Sequence, residues 1–524
     1  MKKPGAEQSN PASPHDGPLT LSGAPLTVAE VEAVARRVGG VEIGKDAAAL
    51  LEKSQVGLQA AMSQGRAIYG VNTGFGSLAR RRIGEADARN VQINLLRSHA
   101  SGVGQPLDEE LVRAMLLLLA ASLCRGRSGV RRELVEALVA MLNAGVTPVV
   151  PEIGSVGASG DLAPLAHATL PLIGEGEAYY KGERLPGAEA LKRARLTPYE
   201  LGPKEGIALI NGTHLMAAYG ALLAADIDRL LSAAACAAAM SIDACKASDS
   251  YLDDRVYQAR NQPGPARFAA TVRTLLRGSE IVPSHRENDP RVQDPYSFRC
   301  MAPVIGAALD LLDYARAAID RELGAVTDNP LVFPDGDAGA TVISAGNFHG
   351  MPIAMPLDCI ALAMTHIAGV SERRTFFALS GTDPESGLTP HLSPEPGLHS
   401  GLMITQYAAA ACCNELIGLA NPASSANIST CAGMEDYNSF GPRAGAKARR
   451  AVELTRQVVA IELLCAAEAL ERQRPLRSGA GVEQAHALVR TVAKKLDKDR
   501  PPAPDIAAIA ELIREGRFLN IADL

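Results

Sequence analysis

Five stretches, roughly 206–245, 303–322, 352–374, 402–420 and 449–471, carry apolar residues at helical spacing over lengths that strands do not reach. Ile305, Leu309, Leu312 and Ile319 illustrate the pattern, because steps of about four, three and seven fall on one stripe of a helix. The chain has no Trp and only 4% aromatic residues, so small side chains let such helices approach closely. This predicts a mainly α protein built round a long central helical bundle, with a few small β-hairpins. Length alone, at 524 residues, suggests about three or four domains. A hydrophobic content of 47% argues instead for one continuous unit with a large core.

Residues 1–24, rich in Pro, Gly and Ser, are expected to be a disordered tail. Regions 25–205, 206–475 and 476–524 follow as an N-terminal part, the bundle and a C-terminal helical part. Thr27-Val-Ala-Glu30 has the form of a capping box that opens the first helix. Val130, Leu134, Val135, Leu138, Val139 and Leu142 recur at helical spacing, with Gly145 as the stop. Val146–Glu152, with Pro148 and Pro151, should be extended. Hairpins are expected at Glu177–Pro186, round Lys181-Gly182, and at Leu331–Ser344, round Asp335-Gly336.

Charge and cysteine content exclude several functions. The net charge is −6 with no long basic run, which speaks against nucleic acid as a partner. The nine cysteines include no Cys-x-x-Cys pair, and Cys412 and Cys413 are adjacent, so neither a disulfide framework nor a metal site is expected. No apolar signal segment follows the Met-Lys-Lys start, which predicts a cytoplasmic location. Met351–Val370 is apolar enough to suggest a membrane span, but Pro352, Pro356, Asp358 and His366 favour a buried core helix and no membrane.

One short stretch holds unusual chemistry. Gly154–Leu165 reads Gly-Ser-Val-Gly-Ala-Ser-Gly-Asp-Leu-Ala-Pro-Leu. Glycines at 154, 157 and 160, with Ala158, let the backbone turn tightly. With no side chain on Gly160, its nitrogen could reach the Ala158 carbonyl and close a five-membered ring. Loss of the Ser159 hydroxyl would then leave a conjugated methylene, an electrophile that no ordinary side chain supplies. A flexible surface loop is the plainer reading of such a cluster. The dinucleotide fingerprint, the P-loop and the Gly-x-Ser-x-Gly elbow do not match, because the glycines are three apart, no Gly-Lys-Ser/Thr follows, and position 161 is Asp.

The whole twelve-residue string resembles the signature of the histidine and aromatic amino acid ammonia-lyase family. Further matches follow in the family's order: Tyr69-Gly-Val-Asn-Thr-Gly-Phe-Gly76, Asn211-Gly-Thr, Gln293-Asp-Pro-Tyr-Ser-Phe-Arg-Cys300, Thr327-Asp-Asn-Pro and Gly346-Asn-Phe-His349. The resemblance covers nearly the whole chain. It implies the long helical bundle of ammonia-lyases and fumarase relatives, and a homotetramer whose active sites each draw residues from three subunits. It also implies that Ala158-Ser159-Gly160 cyclise to 4-methylidene-imidazol-5-one (MIO), with no metal or nucleotide.

By the same resemblance Tyr69 is the general base and Tyr296 lies near the prosthetic group. Arg299 pairs with the substrate carboxylate and Phe348 touches its ring, while Asn211 and Gln293 orient the substrate or stabilise the adduct. Without the family, Tyr69 is a loop residue, Asn211 a helix cap and Arg299 a surface cation. An unperturbed tyrosine, near pKa 10, is a poor base at neutral pH, so the fold is expected to lower it through helix N-termini.

Substrate choice is implied by two positions. Ser98-His99 and Glu435 in Met-Glu-Asp-Tyr-Asn-Ser are similar to the histidine-specific members, and both can hydrogen-bond an imidazole. Met434, Tyr437 and Asn438-Ser439 depart from those members, which leaves tyrosine or phenylalanine elimination and 2,3-aminomutation open. Two readings outside the family are disfavoured. A fumarase-type lyase would need a Gly-Ser-Ser-x-Met-Pro-x-Lys-x-Asn loop that is absent, and an inactive helical assembly would show decay at Ser159, Tyr69 or Arg299.

Overall fold

The computed structural model describes residues 17–65, 67–84, 87–336 and 339–524. It is mainly α, with two- and three-stranded sheets as its only strand pairings among the described residues. The chain forms two compact units, each gathered from several passes. The first comprises Met1–Leu222, Ile319–Ala354 and Ala423–Arg443, and the second Leu223–Ala318, Met355–Pro422 and Ala444–Leu524.

In the first unit the capping box forms as expected. The Glu30 backbone N–H donates to Thr27 Oγ1, and the Thr27 N–H donates to the Glu30 carboxylate, at the start of the helix Val28–Ala35. Helix Arg132–Ala144 buries Leu134, Val135, Leu138, Val139 and Leu142, and ends on Gly145 at φ +74. A left-handed residue there satisfies the last carbonyls, which is why glycine stands at that place. Thr147–Pro148 and Pro151–Ile153 are strands, and the two expected hairpins pair as Glu177–Tyr180 with Glu183–Pro186 and Leu331–Asp335 with Gly339–Ile343. Residues 337–338 of the second hairpin lie outside the described residues.

Two expectations need correction. Leu19–Leu21, placed in a disordered tail, form a strand that pairs in parallel with Val41–Ile43, and Leu21 is buried. Alternating burial of three apolar and polar residues gives that pairing its energy. Residues 1–16 lie outside the described residues. The apolar run 206–245 is two helices, Glu205–Ile210 and His214–Ala244, because Asn211 is extended and Gly212 takes φ +147. Gly212 pairs with Gly160 across this break, so the interruption brings backbone against the Gly/Ser-rich turn.

The remaining long helices are Met301–Glu322, Met351–Ser380, Met403–Leu419 and Gly441–Leu470. Ile305, Leu309, Leu312 and Ile319 are all buried, as the stripe predicts. Met351–Ser380 is long and apolar enough to cross a membrane, yet 61% of its most apolar window is buried inside the protein, as in a core helix. In the second unit, Arg374 and Glu462 form a fully buried pair at 2.5 Å, and Ser241 and Ser371 also donate to that carboxylate. These donors offset the cost of removing two charges from water.

Candidate active site

The Gly/Ser-rich turn is held from two sides. Gly157 and Gly160 take φ +67 and +72, conformations that a Cβ would strain. Ser155 Oγ accepts from the Gly157 N–H at 3.1 Å and donates to the Gly160 carbonyl at 3.2 Å, which ties the turn to itself. On one side the Asp161 N–H donates to the Gly212 carbonyl at 2.7 Å. The buried Asp161 carboxylate accepts from the Leu215 and Met216 N–H groups at the start of helix His214–Ala244. Burial pushes its pKa up to about 7, while those two N–H bonds pull the other way. On the other side Ser439 Oγ donates to the Gly157 carbonyl, and the Phe440 N–H donates to that of Val156.

The turn opens into a cavity of about 910 Å³ lined by Tyr69, His99, Ala158, Ser159, Asn211, Phe348 and Glu435 among others. All of these belong to the first unit. Gly160 completes the tripeptide behind them and pairs with Gly212. Seven of the eleven residues singled out in the sequence therefore meet at one cavity, although they span positions 69 to 435. The tripeptide fits the proposed ring closure. Both its ends are clamped, Ala158 is buried, Gly160 has no room for a side chain, and Ser159 presents its hydroxyl to the cavity.

Glu435 is placed by a strained turn. Cys431, Ala432 and Gly433 stand consecutively at φ +50, +54 and +83, at about 1–2 kcal/mol for each of the two residues that are not glycine. Across it, the Thr430 N–H donates to the Glu435 carbonyl at 2.9 Å, and Thr430 Oγ1 donates to Glu435 Oε2 at 2.9 Å. Glu435 Oε1 accepts from Ser159 Oγ at 3.1 Å. Nothing in the sequence pointed to Thr430. Asn329 was also missed as an individual residue, though its Thr-Asp-Asn-Pro string was noticed. It lines the cavity, and its carbonyl accepts from Asn211 Nδ2 at 3.0 Å. Asn211 Oδ1 is left buried without a partner, and Asn211 is the C-cap of helix Glu205–Ile210 rather than a side-chain cap on the helix that follows.

His99 ends helix Ala88–His99, and its Nδ1 lies 2.9 Å from the Leu95 carbonyl. A carbonyl only accepts, so this contact places the proton on Nδ1 and leaves Nε2 as an acceptor. Burial lowers the His99 pKa, against opposing effects of the Leu95 carbonyl and the Glu435 charge. The folded value thus lies below 6.5, and the neutral ring holds at neutral pH. If neutral His99 serves binding, kcat/KM should show an added acid limb below pH 6.5, as His99 protonates. Measuring kcat/KM against pH for the native protein and His99→Gln checks this, since the acid limb should vanish from the variant.

Tyr69 Oη accepts at 3.0 Å from the N–H of Gly76, which lies in a loop closed by the Thr73–Arg82 pairing. Its pKa is raised, chiefly by burial, and Glu435 and Cys431 push the same way against the Gly76 N–H. This corrects the expectation of a lowered value. Burial outweighs the Gly76 N–H, and the Glu435 charge adds to it.

Gln293, Tyr296 and Arg299 lie in the second unit and are not among the residues lining this cavity. Gln293 is exposed, Tyr296 is 70% exposed, and the Arg299 guanidinium stacks on the Tyr296 ring at 4.8 Å. Arg291 fixes the segment ahead of them, donating to Asp289 at 3.0 Å and to Asp383 at 3.1 Å.

Comparison with known proteins bears on this arrangement. The sequence model of the aromatic amino acid lyase family matches residues 26–491. A histidine ammonia-lyase of Sorangium cellulosum (strain So ce56) is 47% identical over 504 residues, covering 95% of this chain and 98% of its own. The crystal structure of histidine ammonia-lyase from Trypanosoma cruzi superposes with a TM-score of 0.88 at 34% identity, covering 96% of this chain and 94% of its own. A tyrosine aminomutase from Streptomyces globisporus gives a TM-score of 0.90 at 32% identity, covering 96% and 98%.

Proposed function

The chain belongs to the aromatic amino acid lyase family and is an ammonia-lyase, and we propose that it eliminates ammonia from L-histidine to give trans-urocanate. The observation that carries this reading is the meeting of His99 and Glu435 at the cavity that holds Ser159. His99 Nε2 and the Glu435 carboxylate are both acceptors, suited to the single N–H of an imidazole or the two of an imidazolium. A phenyl ring would offer neither group an N–H, at about 1–3 kcal/mol for an acceptor left without a donor.

An MIO group formed from Ala158, Ser159 and Gly160 would supply an electrophilic carbon toward the substrate amine. The protein's own residues supply the remainder. Asn211 offers its unpartnered Oδ1 to an N–H of the substrate. Phe348 packs the ring, which fixes the side chain relative to Tyr69. Tyr69 takes the β-proton, and its raised pKa means that only a small fraction is phenolate at neutral pH. The rate should therefore climb with pH through the neutral and mildly alkaline range. Tyr69→Phe should lower kcat by about 10²–10⁴-fold and abolish that slope, as kcat measured from pH 7 to 9 would reveal.

Arg299 binds the substrate carboxylate with a planar pair of donors, and Gln293 and Tyr296 orient the substrate. We assign these three to the cavity of another copy in a homotetramer, since Gln293 and Tyr296 stand exposed on their own unit. Exposed Met355, Leu362, Phe376, Ile404, Tyr407 and Ile417 in the second unit are apolar surface for such contacts. A cytoplasmic location suits this activity on a free amino acid.

A second reading has one observation in its favour. His99 Nε2 would equally accept the hydroxyl of a tyrosine ring, and exposed Met434 and Tyr437 line the same cavity. Elimination from tyrosine, or its 2,3-aminomutation, follows from that alternative. Incubating purified protein with L-histidine and assaying ammonia tests the main reading. The native protein should release ammonia and urocanate in equal amounts while Ser159→Ala releases neither. Equal turnover by both proteins would overturn the role of Ser159.

A further inference from the structure

We propose that Glu435, besides facing the substrate, carries the proton in the dehydration of Ser159 that completes the electrophile. The inference rests on the reading above that residues 158–160 cyclise. Three observations lead to it. The Glu435 carboxylate, 276 residues away in sequence, touches the one hydroxyl that must leave, with Ser159 Oγ at 3.1 Å from Oε1. Its second oxygen is held by Thr430 Oγ1, which leaves Oε1 aimed at Ser159. The turn that sets this aim runs through two non-glycine residues at positive φ, Cys431 and Ala432, conformations that persist only where surrounding structure enforces them.

The chemistry balances without any added reactant. In the first step the Gly160 nitrogen gives up its proton and bonds to the Ala158 carbonyl carbon. The carbonyl oxygen takes that proton and the Ser159 N–H proton and leaves as water, as a C=N bond forms from that carbon to the Ser159 nitrogen. Glu435 does not touch those atoms. In the second step the Ser159 Cα–H bond breaks and its electron pair forms the Cα=Cβ bond. The Cβ–Oγ pair leaves with the oxygen, which already holds one proton and takes a second to depart as water. Glu435 takes the Cα proton and hands it to Oγ, so the carboxylate ends as it began. A carboxylate that only bound substrate would have no need to touch Ser159 Oγ before substrate arrives.

The test reads the mass of purified protein that has met no substrate. Native protein should be two water masses lighter than its encoded sequence. Glu435→Gln keeps the shape and can still accept from Ser159, but it cannot relay a proton. It should accumulate a species one water lighter, with the second loss slowed at least tenfold. Glu435→Ala should do the same, and Thr430→Val should slow the second loss to a smaller degree. Circular dichroism identifies any variant that has lost its helices, and the near-isosteric glutamine variant then decides. Full loss of both waters from Glu435→Gln at the native rate would overturn the inference. An unshifted mass in the native protein would overturn instead the cyclisation on which it rests.

Discussion

Replacing Gly160 by alanine should leave a protein that retains both waters and turns over at a rate lower by on the order of 10⁴-fold or more. The cause lies in backbone contact. A Cβ built on Gly160 would fall on the carbonyl oxygen, carbonyl carbon and Cα of Gly212. None of these can rotate away, as the end of a flexible side chain could. The residue also sits at φ +72, where a side chain costs about 1–2 kcal/mol. Overpacking adds about 1–3 kcal/mol, so the fold should lose about 3 kcal/mol in all. The alternative to unfolding is for Asn211-Gly212-Thr213 to move, which breaks the Asp161 N–H bond to Gly212 and shifts Asn211 in the cavity. Intact mass and kcat on the same preparation check both parts. A variant with native mass and native rate would show that Gly212 does not confine the turn.

The second large effect is expected at Lys204, which is fully buried beneath the cavity wall. Its ammonium lies 2.6 Å from Asp328 Oδ2, and the other oxygen of Asp328 accepts from the Asn329 N–H at 2.6 Å. Asn329 in turn holds Asn211 and the Ala345 N–H. Burial alone lowers the Lys204 pKa, and Asp328 opposes that by favouring the charged form. Lys204→Met strands a buried carboxylate, which should cost about 3–5 kcal/mol. Because Asp328 carries Asn329, catalysis should fall as well, by about tenfold to a hundredfold, from misplacement of Asn211. Adding Asp328→Leu removes the stranded charge and should recover most of the stability without recovering the rate. Denaturant midpoints for the two single variants and the double variant give the coupling. A Lys204→Met protein within about 1 kcal/mol of native would contradict the account of this pair.

These effects show where sequence reasoning reached and where it stopped. The stripe at Ile305, Leu309, Leu312 and Ile319, the capping box at Thr27 and the glycine stop at Gly145 are local patterns, and local physics decided them. The Gly154–Leu165 turn was legible through its resemblance to a family signature, since small residues alone favour a flexible surface loop. The break at Asn211-Gly212-Thr213 was hidden by apolar residues on both sides, because its cause is contact with Gly160, some 50 residues earlier. The bond from Ser159 to Glu435 spans the chain, so only the fold could reveal it. The Tyr69 pKa was misjudged because its direction depends on burial and on Glu435, neither of which a glycine-rich loop announces. Gln293, Tyr296 and Arg299 were found through a motif, and they belong to the second unit.

The most direct test of the account is the absorbance of purified protein incubated separately with L-histidine, L-tyrosine and L-phenylalanine, with Ser159→Ala as the blank. The account predicts a rise in urocanate absorbance with histidine, none from the blank, and kcat/KM for histidine above that for either aromatic substrate. A coumarate or cinnamate signal in place of urocanate would contradict the roles given to His99 and Glu435, and would make Met434 and Tyr437 the residues that set the substrate.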